Sequence, residues 1–199
     1  MFKINDKDYE IQQAYIDAML DDENEELIFG IEIEGKRVDD FTLPSITSDT
    51  LLKIKKYEIK EWRGIAGRIV EWGKYSKNIW KPYAKFVNCY KNTFRGNFLY
   101  NAKIEFTNIN NKIFIKIKGL CDSKFNCKEI KTLSLDIETE MDFTWIQMGP
   151  HETEEAARNR LHPYLDTKYF NYDVSKLQLS NNVTDMGKFI YKDIKKIYV

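Results

Sequence analysis

The stretch from Leu133 to Trp145 alternates apolar and acidic residues with a period of two, which is the period of a β-strand. Because successive side chains of a strand point to opposite faces, this stretch carries one apolar and one acidic face. The apolar face consists of Leu133, Leu135, Ile137, Met141, Phe143 and Trp145. The acidic face consists of Asp136, Glu138, Glu140 and Asp142. We therefore predict a sheet with one side on a core and the other lined by carboxylates.

A hairpin with lysines on one face comes before this acidic strand. Residues 102–106 and 113–117 both alternate, and the segment between them contains Asn108, Asn110 and Asn111. Asn tolerates the positive φ of tight turns, so the pattern predicts a β-hairpin. On the second strand of this hairpin, the face that does not carry the isoleucines would carry Lys112, Lys116 and Lys118. If this strand pairs with the acidic strand, each opposite-charge pair would stabilise the sheet by roughly 0.2 to 1 kcal/mol. Otherwise the carboxylates are free for a partner.

Strands are also indicated in the first third of the chain. Residues 2–11 predict a hairpin around the turn-rich segment Asn5-Asp6-Lys7-Asp8. Residues 27–35 predict a further strand that ends in a glycine turn. The spacing of apolar residues in 11–19 fits either a strand or a helix. Residues 39–49, which contain a proline and several Ser and Thr, are predicted to be a connection.

Helices are expected toward the C-terminus. Pro150 is followed by several glutamates, a combination that suits the first turn of a helix, and we predict that this helix runs through Leu161. Residues 166–182 show no clear pattern and are predicted to be irregular. The residues spaced for a C-terminal helix are Phe189, Ile190, Ile194 and Ile197. Their β-branched content leaves a strand as the alternative.

Length and composition favour one hydrophobic core. The chain has 199 residues, of which 43% are hydrophobic, and this is enough apolar material to bury. We predict a single globular domain over residues 1–199. Its fold class is α+β and β-rich, with antiparallel sheets built from hairpins and one or two helices toward the C-terminus.

The net charge is formally zero, but the charges are segregated along the chain. Residues 1–50 carry 14 acidic and 4 basic side chains, whereas residues 51–131 carry 6 acidic and 19 basic side chains. No apolar run resembles a signal peptide or a membrane span, and the three cysteines are an odd set. We therefore predict a cytoplasmic protein with no membrane partner. Its many Lys, Ile and Asn residues are typical of a low-GC bacterial genome.

The residues Leu133-Ser134-Leu135-Asp136-Ile137-Glu138-Thr139 resemble the first exonuclease motif of proofreading exonucleases, especially the exonuclease domain of family B DNA polymerases. The resemblance covers these seven residues. It implies a metal-dependent nuclease in which Asp136 and Glu138 hold the metal ions that assist phosphodiester hydrolysis. The sequence matches the family's second and third motifs only if Asp173 serves in both, and one residue cannot supply two ligands. This activity is therefore only the second alternative.

Other catalytic and metal-binding patterns fail. Cys121 and Cys127 lack zinc-site spacing and a second nearby pair. His151 begins a zinc-protease pattern, but Glu155 stands where the second His is needed. Cys89 is predicted to be a small core residue. We therefore assign no catalytic residue, no metal site and no cofactor.

A basic and aromatic segment, residues 53–100, supplies the first alternative function. Lysines and arginines that neutralise phosphates, interleaved with rings on which bases stack, are typical of a groove for single-stranded nucleic acid. The candidate residues are Trp62, Arg63, Arg68, Trp72, Lys74, Tyr75, Lys77, Trp80, Lys81 and Tyr83. The same residues would equally serve as core and surface residues if the acidic N-terminal third neutralises them.

The function that the sequence favours is protein binding without catalysis. Clustered carboxylates speed association with a basic partner, and exposed aromatic residues contribute much of the binding energy at interfaces. The candidate contact residues are Asp136, Glu138, Glu140 and Asp142, together with Asp21, Asp22, Glu23, Glu25 and Glu26 of an acidic loop. In general character, though without a shared motif, the chain is similar to bacterial immunity proteins. We therefore predict an immunity-type inhibitor that neutralises a cognate toxin, such as a basic nuclease.

Overall fold

The computed structural model describes residues 1–37, 44–73, 85–90, 93–125, 129–150, 152–179 and 182–192. The strands are β1 (Phe2–Ile4), β2 (Lys7–Tyr9), β3 (Ile11–Asp21), β4 (Glu26–Gly35), β5 (Pro44–Lys55), β6 (Ile69–Trp72), β7 (Lys85–Tyr90), β8 (Thr93–Ile109), β9 (Lys112–Phe125), β10 (Glu129–Pro150), β11 (Phe170–Leu179) and β12 (Asn182–Tyr191). One α-helix, α1 (Glu154–Leu161), and two 3₁₀ turns, Trp62–Ile65 and Thr167–Tyr169, complete the described elements.

The strands form two sheets that are joined by two long shared strands. The first sheet has the order β2-β1-β10-β9-β8-β6. The second has the order β11-β12-β10-β3-β4-β5-β7-β8. The N-terminal part of β10 pairs with β9 and its C-terminal part with β3 and β12. β8 is divided in the same way between β7 and β9. The pairing therefore forms a closed ring that runs from β10 through β3, β4, β5, β7, β8 and β9 back to β10.

The prediction of a β-rich fold is confirmed, but the sheet is mixed and not purely antiparallel. β3 and β10 run parallel, with Tyr15 opposite Asp142 and Ile16 opposite Phe143. The buried Thr144 hydroxyl donates a hydrogen bond of 3.1 Å to the Ile16 carbonyl across this junction. Sequence reasoning from hairpins cannot find such a pair, because the two strands lie far apart in the chain.

The predicted hairpins are confirmed, and asparagines make their turns. β8 and β9 are joined through Asn110 and Asn111, which adopt φ values of 52° and 64°. β1 and β2 are joined through Asn5, with φ of 51°. Two successive residues with positive φ are what a type I′ hairpin turn requires, and Asn enters that region at low cost.

Other local predictions need correction. The segment 11–19 is the strand β3, and β5 begins at Pro44, inside the predicted connection. The segment 166–182, predicted to be irregular, contains β11. The predicted C-terminal helix is wrong where it falls on described residues, since Phe189 and Tyr191 belong to β12 and are buried on one face of a strand. Residues 193–199 lie outside the described part.

The helix after Pro150 is confirmed as α1. Thr153 caps its N-terminus, accepting a hydrogen bond from the Ala156 amide, and two glutamates occupy the first turn. The helix buries Ala157 and Leu161 against the core. None of the described helices is long and apolar enough to cross a membrane.

An aromatic cluster sits at the centre of the core. Phe143 of β10 stacks on Trp62 at 5.2 Å between ring centroids and meets the edges of Phe170 and Tyr191. Phe29 of β4 lies 6.0 Å from the same ring. Burying such rings supplies a large share of the hydrophobic stabilisation, and it packs β4 and β10 against side chains of the C-terminal strands β11 and β12 of the same sheet.

Candidate functional site

The acidic strand and the lysine strand face each other in the first sheet. The ion pairs between them are Lys112–Glu140 at 2.7 Å, Lys116–Glu138 at 3.4 Å and Lys118–Asp136 at 3.4 Å. The charge alternation continues outward with Lys3–Asp8, Lys103–Glu105 and Lys103–Glu71. We call this surface the lysine–glutamate face. Three of the four predicted carboxylates are therefore neutralised within the sheet.

The predicted acidic loop is a tight hairpin turn between β3 and β4, and its charges are largely paired as well. Asp22 forms an ion pair with Arg160 of α1. Glu25 and Glu26 pair with Lys56 and Lys53, each at 2.7 Å. The side chain of Asp21 accepts hydrogen bonds from the amide and side chain of Asn24, which lower the pKa of Asp21. Glu23 is exposed.

The described members of the basic aromatic segment make internal contacts. Trp62 is buried in the core, and the Arg63 guanidinium lies over its ring while donating to the Asn111 carbonyl and the Tyr191 hydroxyl. Arg68 pairs with Glu58 at 2.6 Å. The indole of Trp72 donates to the Leu99 carbonyl. The remaining candidates, Lys74, Tyr75, Lys77, Trp80, Lys81 and Tyr83, lie outside the described residues.

The structure does not gather a metal site among the residues that it describes. No three His, Cys, Asp or Glu side chains there are placed to hold one ion. Asp136 and Glu138, the ligands that the exonuclease resemblance implies, have lysine partners. Burial raises the pKa of the Cys121 thiol to about 12, so this cysteine is a poor nucleophile at neutral pH. Cys127 lies outside the described residues.

A different acidic surface lies on the outer side of the second sheet. On β3, Ile16 and Ala18 point to the core, so the alternating residues Tyr15 and Asp17 point outward. Their neighbours on β4, β5 and β10 extend this outward surface. The residues of this carboxylate face are Tyr15, Asp17, Glu32, Glu34, Asp49, Asp142 and Trp145.

The described part of the chain places no ion-pair partner on the carboxylates of this face, and the charge of Arg37 acts on Glu34 without forming an ion pair. Within the described part of the chain, no lysine or arginine forms an ion pair with Asp17, Glu32, Glu34, Asp49 or Asp142, whereas fourteen such pairs form elsewhere. Hydrogen bonds from neutral groups take their place. The Tyr15 hydroxyl donates to Glu32, and the Gln13 amide donates to Glu34 at 2.6 Å.

Asp17 lies at the centre of the face. Its partner across the strand pair is Gly30, and a Cβ atom there would overlap Asp17 Oδ1 and come within 2.9 Å of the Ser48 carbonyl oxygen. The missing side chain therefore makes the room that the carboxylate occupies. The register of β4 and β5 shifts at this point, between Phe29 and Ile31.

The carboxylates on this face raise one another's proton affinity. Burial, followed by the negative charges of Asp49 and Glu32, raises the pKa of Asp17 from 3.8 to about 6. Burial and the charge of Glu32 also raise the pKa of Glu34. Burial, the hydrogen bond to Glu32 and the charge of that carboxylate raise the pKa of Tyr15. Among the described residues, the charges that act on Asp17 are thus all negative.

An aromatic pair borders these carboxylates. The rings of Tyr15 and Trp145 lie 5.9 Å apart, with their planes inclined by 43°. Trp145 keeps 37% of its surface exposed, and the nearby Met19 keeps 38%. Aromatic rings next to carboxylates can hold a guanidinium group by stacking and by charge-assisted hydrogen bonds. The arrangement is suited to binding a cation and carries no nucleophile or metal set.

Sequence reasoning found Asp142 and missed the rest of the face. The prediction that Trp145 shares the apolar face with Phe143 is wrong, because the register of β10 against β3 shifts between Phe143 and Ile146 and Trp145 is exposed. The alternation of Tyr15 and Asp17 against Ile16 and Ala18 was a usable signal, but a helix was equally compatible with residues 11–19. Only the pairing of β3 with β4 and β5 places the scattered carboxylates side by side.

Comparison with known proteins does not identify a relative. No protein family matches the sequence, and neither the curated proteins nor the solved structures contain a match to this chain. The function is therefore inferred from the geometry of the chain itself.

Proposed function

We propose that this protein is a non-catalytic binding module that recognises a basic protein partner through its carboxylate face. One observation carries the proposal: five carboxylates on one outward face have no lysine or arginine partner among the described residues, whereas the acids of the first sheet do. Carboxylates without an ion-pair partner among the described residues, next to exposed aromatic rings, favour a partner whose surface carries arginines.

The energetic cost of the face also supports a role in binding. A partly buried carboxylate beside two others destabilises the folded state at neutral pH. Residues that weaken a fold in this way are common at functional sites. The proposed contact residues are therefore Asp17, Glu32, Asp49, Asp142 and Trp145, and not the ion-paired acids of β10.

A more specific proposal concerns the class of partner. Together with its lysine- and isoleucine-rich, β-rich character, an acidic face for a basic protein fits an immunity-type inhibitor that blocks a bacterial toxin. Nucleic-acid binding through residues 53–100 and a nuclease using Asp136 and Glu138 stay as predictions from sequence. The internal contacts of Trp62, Arg63 and both carboxylates give those two functions less support.

A direct test uses a labelled synthetic peptide in which six arginines alternate with serines. The double variant Glu32→Gln/Asp49→Asn removes two unpaired charges, and the matched control Glu138→Gln/Glu140→Gln removes two ion-paired charges. By fluorescence anisotropy at low salt, we expect the first variant to bind at least about tenfold more weakly than wild type, and the control within about twofold. Equal losses in both variants would mean non-specific attraction and would overturn the proposal.

The same pair of variants tests the natural partner. The tagged wild type, purified from its host at low salt, should retain one basic protein in stoichiometric amount. The Glu32→Gln/Asp49→Asn protein should lose it, and the control should keep it. For the inhibitor proposal, that basic protein should be toxic when expressed alone and harmless when this chain is co-expressed. Retention of the same protein by both variants would exclude the carboxylate face as the contact.

A further inference from the structure

Carboxylates from three neighbouring strands meet around Asp17. Gly30 of β4 pairs with Asp17, and a Cβ on Gly30 would overlap Asp17 Oδ1 and lie 3.4 Å from the Asp49 Cα of β5, so Asp17 and Asp49 share this space. The charges of Asp49 and of Glu32 on β4 act on Asp17. The other ionisable groups on this face are Tyr15 on the same strand, Glu34 on β4 and Asp142 on β10. None of these groups is cationic, and no described Lys or Arg nitrogen lies within ion-pair distance of Asp17.

Building on the proposed function, we propose that Asp17 couples partner binding to pH. The free protein carries a proton on Asp17 under mildly acidic conditions, and an arginine of the partner displaces that proton into solvent when it docks beside Asp17, Asp49 and Glu32. The carboxylate face thereby becomes a proton-sensitive docking surface for a basic protein.

The direction of the coupling follows from the surroundings of Asp17. Its pKa is raised to about 6 by burial and by the adjacent negative charges, so a proton and a guanidinium group compete for the same carboxylate. A nearby cation favours the ionised form and lowers the pKa again. Binding that requires the ionised form is weakened by the fraction of molecules that are protonated, which is about tenfold at pH 5.

The first experiment needs no partner. In a ¹³C NMR titration of the carboxyl carbons of the free protein, Asp17 should titrate near pH 6, and Asp49→Asn should lower its midpoint by removing a neighbouring negative charge. Glu58, whose pKa is lowered by a hydrogen bond from the Lys55 amide and by Arg68, is the internal reference. A midpoint for Asp17 near 4 in the wild type would overturn the inference, whatever the binding data show.

The second experiment measures affinity for the arginine–serine peptide at pH 7.5 and pH 5. Wild type should bind about tenfold more weakly at pH 5, because ordinary carboxylates with pKa values of about 4 stay mostly ionised there. Asp17→Asn should bind weakly and with little dependence on pH. Equal wild-type affinity at both pH values would overturn the coupling and leave the proposed function standing. Failure to bind at either pH would overturn both proposals.

Discussion

The two sheets of this protein present acidic residues to solvent in opposite ways. On the lysine–glutamate face, Asp136, Glu138 and Glu140 each form an ion pair with a lysine of β9. On the carboxylate face, Asp17 and Glu32 meet a glycine and a tyrosine instead. Sequence patterns show both sets as acids on a strand, so the difference lies entirely in the neighbouring strand. A charge indicates a binding surface only where the fold leaves it without its own counter-charge.

The largest effect should come from filling the space under Asp17. Gly30→Ala puts a Cβ where Asp17 Oδ1 lies and near the Ser48 carbonyl, so the carboxylate or the β5 backbone must move. We expect a loss of about 2 to 3 kcal/mol in the free energy of unfolding, measured by urea denaturation. The control is Gly73→Ala, where nothing lies within 4 Å and a change below about 0.5 kcal/mol is expected. Equal stability of the two variants would contradict the close contact.

A smaller effect of opposite sign should follow from removing the charge of Asp17. Because its pKa of about 6 in the folded state exceeds the ordinary 3.8, ionisation of Asp17 destabilises the fold above pH 6. Asp17→Asn should therefore stabilise the protein at pH 7.5 by about 1 to 2 kcal/mol, after allowance for its partial exposure. The gain should fade as the pH drops from about 6 toward 4, because wild-type Asp17 already takes up its proton near pH 6 in the folded state. Urea denaturation at pH 7.5 and pH 4.5 measures both values.

A stabilisation of Asp17→Asn that stayed constant between those two pH values would point to a cause other than charge. A loss of stability at pH 7.5 would mean that a cation does neutralise Asp17 in the folded protein. Either result would mean that Asp17 does not differ from the ion-paired acids of the lysine–glutamate face in the way described.

The smallest effect should come from the lysine–glutamate face. Glu138→Gln breaks a solvent-exposed ion pair of 3.4 Å with Lys116, so it should cost only about 0.2 to 1 kcal/mol. The loss should shrink further in 1 M salt, because exposed charges are screened there. Thermal unfolding at low and high salt provides the measurement. A gain in stability, as expected for Asp17→Asn, would show that both faces carry uncompensated charge.

Much of the fold was accessible from local patterns. The asparagines at 110 and 111 predicted a hairpin, and the lysines after them predicted partners for the acidic strand. Both features depend on residues close in sequence or on a period of two. The helix after Pro150 was equally local, since its cap and first-turn glutamates stand together.

The parts that sequence reasoning missed depend on distant residues or on mixed signals. The parallel contact of β3 with β10 joins strands more than a hundred residues apart. In β11, Phe170 and Tyr172 alternate with Asn171 and Asp173, but this polar stretch looked irregular without its partner β12. The carboxylate face was also missed because it depends on distant residues: Asp17, Glu32 and Asp49 come together only through strand pairing.

The long strands β8 and β10 determine how the molecule can open. Each belongs to both sheets, and detaching β10 would at once remove the neighbour of β1, β3, β9 and β12. Amide hydrogens in the two sheets should therefore exchange with solvent through one shared, cooperative opening reaction and not sheet by sheet. The backbone that presents Asp17 and Trp145 to a partner would then be as resistant to fluctuation as the aromatic core beneath it.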